Sequence, residues 1–274
     1  MSQAKEERSA TNSSPESHGT DLISKLPMRE TPSEPQILYK NFWFRRIFLE
    51  RIMLLEATFK ARHDDIILAT NPKCGTTWLK ALSFAITNRS HYDSGNHPLL
   101  TRHPQEVIPT IDVEIPLNGD LNFIEKLPPP RILATHLPLS LLPESIRIQG
   151  CRIVYICRDP KDAFVSRWHF YEEMMLEPVK FVKVLASFLG VPFTGEEEDA
   201  GVPEELVRLC SFKTLSGVNS SQTEVVQRGS VVVKKSAYFR RGKVGDWVNH
   251  ISEEMARKLD DIVQEKLKGS GLVF

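Results

Sequence analysis

Apolar side chains recur in short runs along this chain, and the runs alternate with segments of helical spacing. Ile66–Thr70, Arg131–Thr135 and Arg152–Cys157 have the length and aliphatic content of buried strands. The first run precedes a predicted helix over Thr76–Thr87, and the third precedes one over Asp162–Met175. Repeated strand–loop–helix units predict an α/β fold, in which a central parallel sheet is flanked by helices.

Further helices are indicated by apolar residues at three- and four-residue steps, or by capping residues. They are Ile47–Phe59, Glu177–Leu189, Pro203–Cys210 and a last helix between Ser252 and Gly269. Two stretches, Asn88–Pro130 and Gln222–Ala237, lack such signals and are predicted to be irregular. Because long irregular stretches in compact domains are often lids or substrate walls, we expect such a role for the first.

The N-terminal region differs in composition from the remainder. Residues 1–35 are rich in Ser, Glu, Pro and Thr, which predicts a mobile tail, and residues 36–274 are predicted to form a single domain. The segment Tyr39–Phe44 then concentrates four aromatic residues. This cluster either anchors the segment to the domain or forms a wall of an apolar pocket.

Charge and cysteine content narrow the possible functions. Lys plus Arg equals Asp plus Glu, at 35 each, which argues against a general binder of nucleic acid or anionic membranes. Four widely spaced cysteines, with no CxxC pair, indicate neither a zinc site nor a disulfide framework. With no secretion signal and no apolar run of membrane-spanning length, we expect a cytoplasmic protein.

The loop between the first strand and its helix has the features of a phosphate site. Asn71–Pro72 ends the strand, Lys73 supplies a cation, and Gly75 allows close approach of the backbone. Thr76 and Thr77 follow, and their hydroxyls can cap the helix and donate to an anion. An ordinary strand–helix corner with a solvated lysine is the alternative. The Walker spacing is absent, which makes a nucleotide kinase less favoured.

Three polar residues each follow the carboxyl end of a predicted strand: Lys73, His136 and Arg158. In open parallel sheets, ligands bind at the carboxyl ends of the strands. Topology therefore predicts that these three side chains converge on one site.

Four blocks, PKCGTTW, ATHLP, CRDPKDAFVS and FRRGKVGDW, together with LCSF near Cys210, resemble the cytosolic sulfotransferases, in particular the plant members. The resemblance implies transfer of a sulfuryl group from 3′-phosphoadenosine 5′-phosphosulfate (PAPS), which leaves adenosine 3′,5′-bisphosphate (PAP). It implies a P-loop-like loop for the phosphosulfate and no metal. The implied acceptor is a hydroxyl of a small, largely apolar molecule such as a flavonoid, steroid or hormone.

The resemblance also implies roles for individual residues. Lys73 would stabilise the departing 5′-phosphate, and His136 would act as general base on the acceptor hydroxyl. The implied donor-binding residues lie in the loop, at the 3′-phosphate and at the adenine: Lys73, Cys74, Gly75, Thr76, Thr77, Arg158, Ser166, Arg240, Arg241, Gly242, Trp78, Ser211 and Phe212.

Structural roles remain open for some of these residues. Arg158 is equally suited to a salt bridge with Asp159 or Asp162, and Trp78 and Phe212 are suited to core packing. Neither the salt bridge nor the core packing requires a bound nucleotide.

The chain departs from the family pattern at the junction of Leu176 and Glu177. Here two helical patterns meet, where the family has several dozen further residues that include a core strand. We therefore expect a family segment to be missing between residues 176 and 177. This departure keeps open a second interpretation, a protein that binds PAPS or PAP but is catalytically impaired.

Overall fold

The computed structural model describes residues 22–31, 34–93, 95–169, 178–218, 225–228, 231–234, 238 and 245–269. The strands are β1 (Met28–Arg29), β2 (Gln36–Tyr39), β3 (Phe42–Arg45), β4 (Ile66–Thr70), β5 (Ile132–Thr135), β6 (Arg152–Ile156), β7 (Val225–Arg228) and β8 (Val231–Lys234). The α-helices are α1 (Arg46–Thr58), α2 (Thr76–Asn88), α3 (Pro104–Val107), α4 (Ile111–Glu114), α5 (Asn122–Glu125), α6 (Glu144–Ile148), α7 (Pro160–His169), α8 (Pro178–Phe188), α9 (Gly195–Asp199), α10 (Val202–Leu209), α11 (Phe212–Val218) and α12 (Glu253–Leu267).

Strand β4 is the centre of a parallel sheet, with β5 on one side and β6 on the other. Its first residue, Ile66, pairs with Ile132 of β5 and with Arg152 of β6. Every residue of β4 is buried, as expected for a central strand covered on both faces. The predicted α/β fold, with a parallel sheet between helices, is confirmed.

Alternate residues of β4 enter different cores, because side chains on a strand alternate between the two faces of the sheet. Ile66 and Leu68 belong to a cluster formed mainly with α2, α8 and α10. Ile67 belongs to a second cluster, formed with α1 and the short helices near β5. The two clusters fix the sheet between its helical layers and hold its carboxyl edge in place.

A buried ion pair aligns the amino ends of β4 and β5. The guanidinium of Arg131 donates to both carboxylate oxygens of Asp65, at 2.7 and 2.6 Å, and both side chains are fully buried. The Arg62 amide donates to the same carboxylate at 2.8 Å. A bidentate pair of this kind supplies geometry as well as energy, so it defines where the two strands start.

The structure corrects the predicted extent of the N-terminal tail. Residues 22–31 were assigned to it, yet Ile23 is buried and Met28–Arg29 pair with β2. The apolar side chain of Ile23 packs with Ile37 and Leu49, which compensates the loss of chain entropy. Residues 1–21 lie outside the described part of the chain.

A two-residue turn joins β2 to β3. Both turn residues have positive φ, at 46° for Lys40 and 70° for Asn41, as a type I′ hairpin turn requires. This hairpin carries the aromatic cluster and presents Phe42, Trp43 and Phe44 on β3.

Two predicted irregular stretches contain regular structure. Within Gln222–Ala237, β7 and β8 form an antiparallel pair, because β-branched valines flank a turn sequence. Within Asn88–Pro130, the structure has α3, α4, α5 and a 3₁₀ turn at Pro98–Leu100, all four residues long or less. Neither stretch is wholly irregular, so both predictions were wrong in this respect. In Asn88–Pro130, the helices are too short for a periodic helical signal to accumulate.

The remaining predicted helices are confirmed within one to two residues at most ends. The Ser252 hydroxyl accepts from the Met255 amide at 3.3 Å and caps α12, and Gly269 has a φ of 82° just after it. Helix α7 is described as far as His169, because residues 170–177 lie outside the described part of the chain.

Candidate active site

The loop after β4 turns sharply and directs the start of α2 towards the carboxyl edge of the sheet. Lys73 has a φ of 76° and Gly75 a φ of 99°. A lysine in the left-handed region is strained, and such strain is typical of functional loops. The Cys74 amide donates to the Asn71 carbonyl at 3.1 Å, so an anion contact from Cys74 would share this amide with the turn.

The two loop threonines do not cap α2, contrary to the sequence prediction. Gly75 occupies the N-cap position without a side-chain hydrogen bond, and Thr76 and Thr77 are the first helical residues. The Thr76 hydroxyl lies 2.5 Å from that of Thr70, and the Thr77 hydroxyl accepts from the side-chain amide of Gln105 at 3.1 Å. Without a capping side chain, the first N–H groups of α2 are suited to an anion.

His136 follows β5 directly and is held to the neighbouring strand. Its Nδ1 lies 3.0 Å from the Thr70 carbonyl oxygen. Because a carbonyl only accepts, Nδ1 carries the proton, and Nε2 is the basic nitrogen of the ring. This tautomer suits a general base.

The backbone of His136 is anchored from the opposite side. Its amide donates to the Asp112 carboxylate at 3.0 Å. Arg51 of α1, itself buried, faces Asp112: burial lowers the pKa of Arg51, and the Asp112 charge acts in the opposite direction. The Asp112 carboxylate therefore holds the backbone of the segment that carries His136.

A cavity of about 590 Å³ opens beside His136. Its walls include Asp112 and Val113 of α4, so part of the long Asn88–Pro130 stretch lines this cavity, and its role as a substrate wall stays a prediction. Aromatic side chains make up much of the remaining lining: Phe42, Trp43, Phe44, Phe48, Tyr155 and Tyr238. The predicted aromatic cluster both lines this cavity and packs on the domain, since Phe44 also contacts the apolar core.

Arg158 lies after β6, at the same edge of the sheet, and is 9% exposed. Its guanidinium is 3.4 Å from the Asp162 carboxylate, so the predicted alternative of a salt bridge to Asp162 is realised. Asp162 also accepts from the Gly245 amide at 3.0 Å. This carboxylate therefore ties Arg158 to the segment that follows FRRGK. The fork of N–H donors on a guanidinium matches the geometry of a phosphate.

The other predicted donor contacts are only partly described. Trp78 is half-buried against the apolar cluster of α2, and the Ser211 hydroxyl accepts from the Thr214 amide at 3.2 Å and caps α11. The side chains of Ser166 and Phe212, and all of Arg240, Arg241 and Gly242, lie outside the described part of the chain. Their predicted nucleotide contacts stay predictions.

Burial determines the protonation state of the Cys74 thiol. The side chain is 2% exposed, and burial raises its pKa to about 11, an effect that a hydrogen bond from the Arg158 backbone opposes. A thiol with this pKa is neutral at pH 8 and is a poor nucleophile. We expect iodoacetamide to leave Cys74 unmodified in the folded protein at pH 8 and to modify it in urea, as measured by peptide mass spectrometry. Comparable labelling in both states would contradict this assignment.

Two residues of the site have no signal in the sequence. Asp112 and Gln105 lie in the stretch that was predicted to be irregular, and they contact His136 and Thr77 across 24 and 28 residues of chain. No short motif includes them, and only the packing of α3 and α4 brings them to the strand ends.

The described residues contain neither a cluster of metal ligands nor a membrane-spanning helix. In that part of the chain, no three His, Cys, Asp or Glu side chains are grouped so as to hold a metal ion. None of the helices there combines the length and the apolar character needed to cross a bilayer.

Comparisons with known proteins agree with this geometry. A family model described as a sulfotransferase domain matches residues 63–171 and 170–271. Cytosolic sulfotransferase 17 of Arabidopsis thaliana is 36% identical over 312 residues, which cover 93% of this chain and 90% of the relative. Flavonol 3-sulfotransferase of Flaveria bidentis is also 36% identical, over 93% of this chain and 99% of its own length.

Solved structures show the same fold. A candidate steroid sulphotransferase of Arabidopsis thaliana superposes with a TM-score of 0.62 and 31% identity, over 95% of this chain and 96% of that structure. A mouse sulfotransferase solved with PAP has a TM-score of 0.60 at 23% identity, over 86% of this chain and 96% of that one. The second similarity supports the fold alone.

Proposed function

Because the chain belongs to the sulfotransferase family, we propose that it transfers the sulfuryl group of PAPS to a hydroxyl of a small, largely apolar acceptor. The observation that carries this proposal is the position of His136. Its ring is held by the Thr70 carbonyl, at the end of the strand that leads into the loop, and it borders an aromatic cavity. This arrangement supports a site in which His136 is the base, the loop after β4 holds the phosphate and the cavity takes the acceptor.

The residues of the loop fit the donor. Lys73 supplies a cation, and the uncapped start of the 13-residue helix α2 adds N–H donors and the positive end of its dipole. Buried Arg158 lies across the same edge, where a guanidinium suits a second phosphate. PAPS, when bound, supplies the sulfuryl group and a phosphate leaving group.

The chain itself would supply positioning and charge for an in-line displacement. Nε2 of His136 would accept the proton of the acceptor hydroxyl, because the Thr70 carbonyl keeps the proton of the ring on Nδ1. Lys73 and the start of α2 would stabilise negative charge on the 5′-phosphate. These roles parallel phosphoryl transfer, in which alignment and electrostatics make up most of the catalysis.

The cavity supports an apolar acceptor. Its aromatic walls favour a flat or ring-shaped molecule, and its volume lies in the range of small-molecule pockets. Flavonol and cytosolic sulfotransferases among the relatives support a flavonoid, steroid or hormone-like acceptor and a cytoplasmic location.

A second proposal, binding without turnover, is favoured by the form of the family match. The sulfotransferase family model matches this chain in two parts that meet at residues 170–171. The alignment with the Arabidopsis relative covers 312 residues, more than the 274 of this chain, so the relative carries residues that this chain lacks. These two observations support the proposal that a family segment is missing near the junction of Leu176 and Glu177.

Incubation with labelled PAPS and a panel of phenols and alcohols, alongside calorimetry with PAP, tests both proposals. We expect labelled sulfate on at least one acceptor and saturable binding of PAP. Binding of PAP without transfer to any acceptor would support the second proposal instead. Folded protein that does not bind PAP would contradict both proposals.

Replacing Arg158 by alanine is expected to weaken PAP binding by roughly 1.5–3 kcal/mol, the range for a hydrogen bond to a charged group. The measurement is calorimetric titration with PAP. Arg158→Lys should recover only part of the affinity, because an ammonium lacks the fork of the guanidinium. Arg147→Ala, at an exposed arginine paired with Glu144, is the matched control. Equal PAP affinity in Arg158→Ala and in Arg147→Ala would remove Arg158 from the nucleotide site.

A further inference from the structure

Lys80 is fully buried on α2, one turn beyond the phosphate-type loop. Its ammonium donates to the side-chain oxygen of Gln105 at 2.5 Å, to the Ile108 carbonyl at 2.7 Å and to the Thr110 hydroxyl at 2.6 Å. These three acceptors come from α3 and the segment after it. Lys80 therefore holds this segment against the start of α2.

The same contacts fix the orientation of the Gln105 side chain. An ammonium only donates, so the atom that faces Lys80 is the amide oxygen of Gln105. Its amide nitrogen consequently faces Thr77 and donates to that hydroxyl at 3.1 Å. Gln105 is 5% exposed, so water does not compete strongly for either contact.

The direction of these hydrogen bonds decides what the Thr77 hydroxyl can do. Its oxygen accepts from Gln105. A hydroxyl that accepts along one direction must donate its own hydrogen along another, so this hydrogen points away from Gln105. Thr77 is the second residue of α2, beside the N–H groups that face the loop. Among the described residues, none accepts a hydrogen bond from the Thr77 hydroxyl.

We infer that Gln105 and Lys80 are positioning residues, which keep the Thr77 hydroxyl oriented as a donor to the 5′-phosphate group of the nucleotide. The inference rests on the proposed function, since it requires that a phosphate occupies the loop. Lys80 orients Gln105, Gln105 orients Thr77, and Thr77 contacts the anion. Neither Gln105 nor Lys80 needs to touch the ligand.

Gln105→Glu is the sharpest test, because it keeps the size of the side chain and a partner for Lys80. Carboxylate oxygens only accept, so the Thr77 hydroxyl would turn to Glu and away from the phosphate. We expect calorimetry to show PAP affinity about five- to tenfold weaker, the scale of one hydrogen bond. Gln105→Leu, which lacks both polar atoms and the added charge, should show a smaller loss in the same direction.

Two controls separate orientation of Thr77 from a general structural effect. Adenosine 3′-phosphate lacks the 5′-phosphate, so its affinity should be equal in wild type and in Gln105→Leu. In a Thr77→Val background, Gln105→Leu should have no further effect on PAP affinity, because the hydroxyl that it orients is gone. The negative charge of Gln105→Glu acts through space, so it should still weaken PAP binding in the Thr77→Val background. The part of the loss that depends on the Thr77 hydroxyl should disappear there.

Additive effects of Gln105→Leu and Thr77→Val on PAP affinity would overturn the inference. Equal weakening of PAP and adenosine 3′-phosphate by Gln105→Leu would overturn it too, since the effect would then be structural. In both cases, wild-type binding of PAP would leave the proposed function intact. A wild type that does not bind PAP would instead contradict the proposed function, and this inference with it.

Discussion

Replacement of His136 by alanine lowers kcat by about 10²-fold or more in the proposed reaction, the scale of one general base. The imidazole is held by the Thr70 carbonyl with Nε2 as its basic nitrogen, so alanine removes the group that accepts the acceptor proton. The effect should fall on kcat, because the ring belongs to the acceptor side of the site. PAP affinity, measured by calorimetry, should stay as in the wild type.

Two further variants test whether the loss of kcat is specific to the His136 side chain. His63→Ala removes an exposed histidine in the segment before β4, at the opposite edge of the sheet, and should leave turnover unchanged. Asp112→Asn, which keeps the backbone contact but removes the charge facing Arg51, should reduce kcat less than His136→Ala. A much larger Kd for PAP in His136→Ala, with kcat unchanged at saturating PAPS, would place His136 on the donor side and contradict the assignment.

Replacement of Lys73 by methionine should lower kcat by about 10²- to 10³-fold, the cost of removing one charge stabiliser from a transition state. Methionine keeps the unbranched shape, and it is no more strained than lysine at the positive φ of this position. The missing ammonium leaves the developing charge on the 5′-phosphate to the N–H groups of α2 alone. The measurement is single-turnover transfer from labelled PAPS at saturating donor.

The distribution of the effect between binding and turnover is the informative result for Lys73. PAP affinity should fall much less than kcat, because charge grows on this phosphate during the reaction. Lys126→Ala, at an exposed lysine after α5, is the control for a loss of one positive charge. An equal loss of kcat in Lys126→Ala would contradict a role in charge stabilisation. So would weaker PAP binding in Lys73→Met with kcat unchanged at saturating PAPS.

The strand, loop and helix around Lys73 could be predicted from the sequence because their determinants are local. A buried apolar run, a breaker pair and a glycine with a φ of 99° follow one another within a few residues. The position of His136 and Arg158 at the same edge of the sheet followed from a topological rule, since parallel strands bring their carboxyl ends together. Functional residues that directly follow a predicted strand can therefore be identified from the sequence alone.

The sequence signals for secondary structure were weaker in short strands, which depend on pairing with another strand. The Val-rich pair β7 and β8 and the docked segment before β2 owe their form to pairing with another strand. Their own residues carry little periodicity, and short elements gain most of their stability from packing. The sequence prediction accordingly placed one in an irregular stretch and the other in a mobile tail.

By itself, the sequence determined the family, the phosphate-type loop and the three polar residues at the strand ends. Only the tertiary structure decided how these groups are oriented. The Thr70 carbonyl selects the tautomer of His136, and Gln105 selects the direction of the Thr77 hydrogen bond. Both contacts join residues far apart in the chain, and a hydrogen bond has a direction only when both partners are in place.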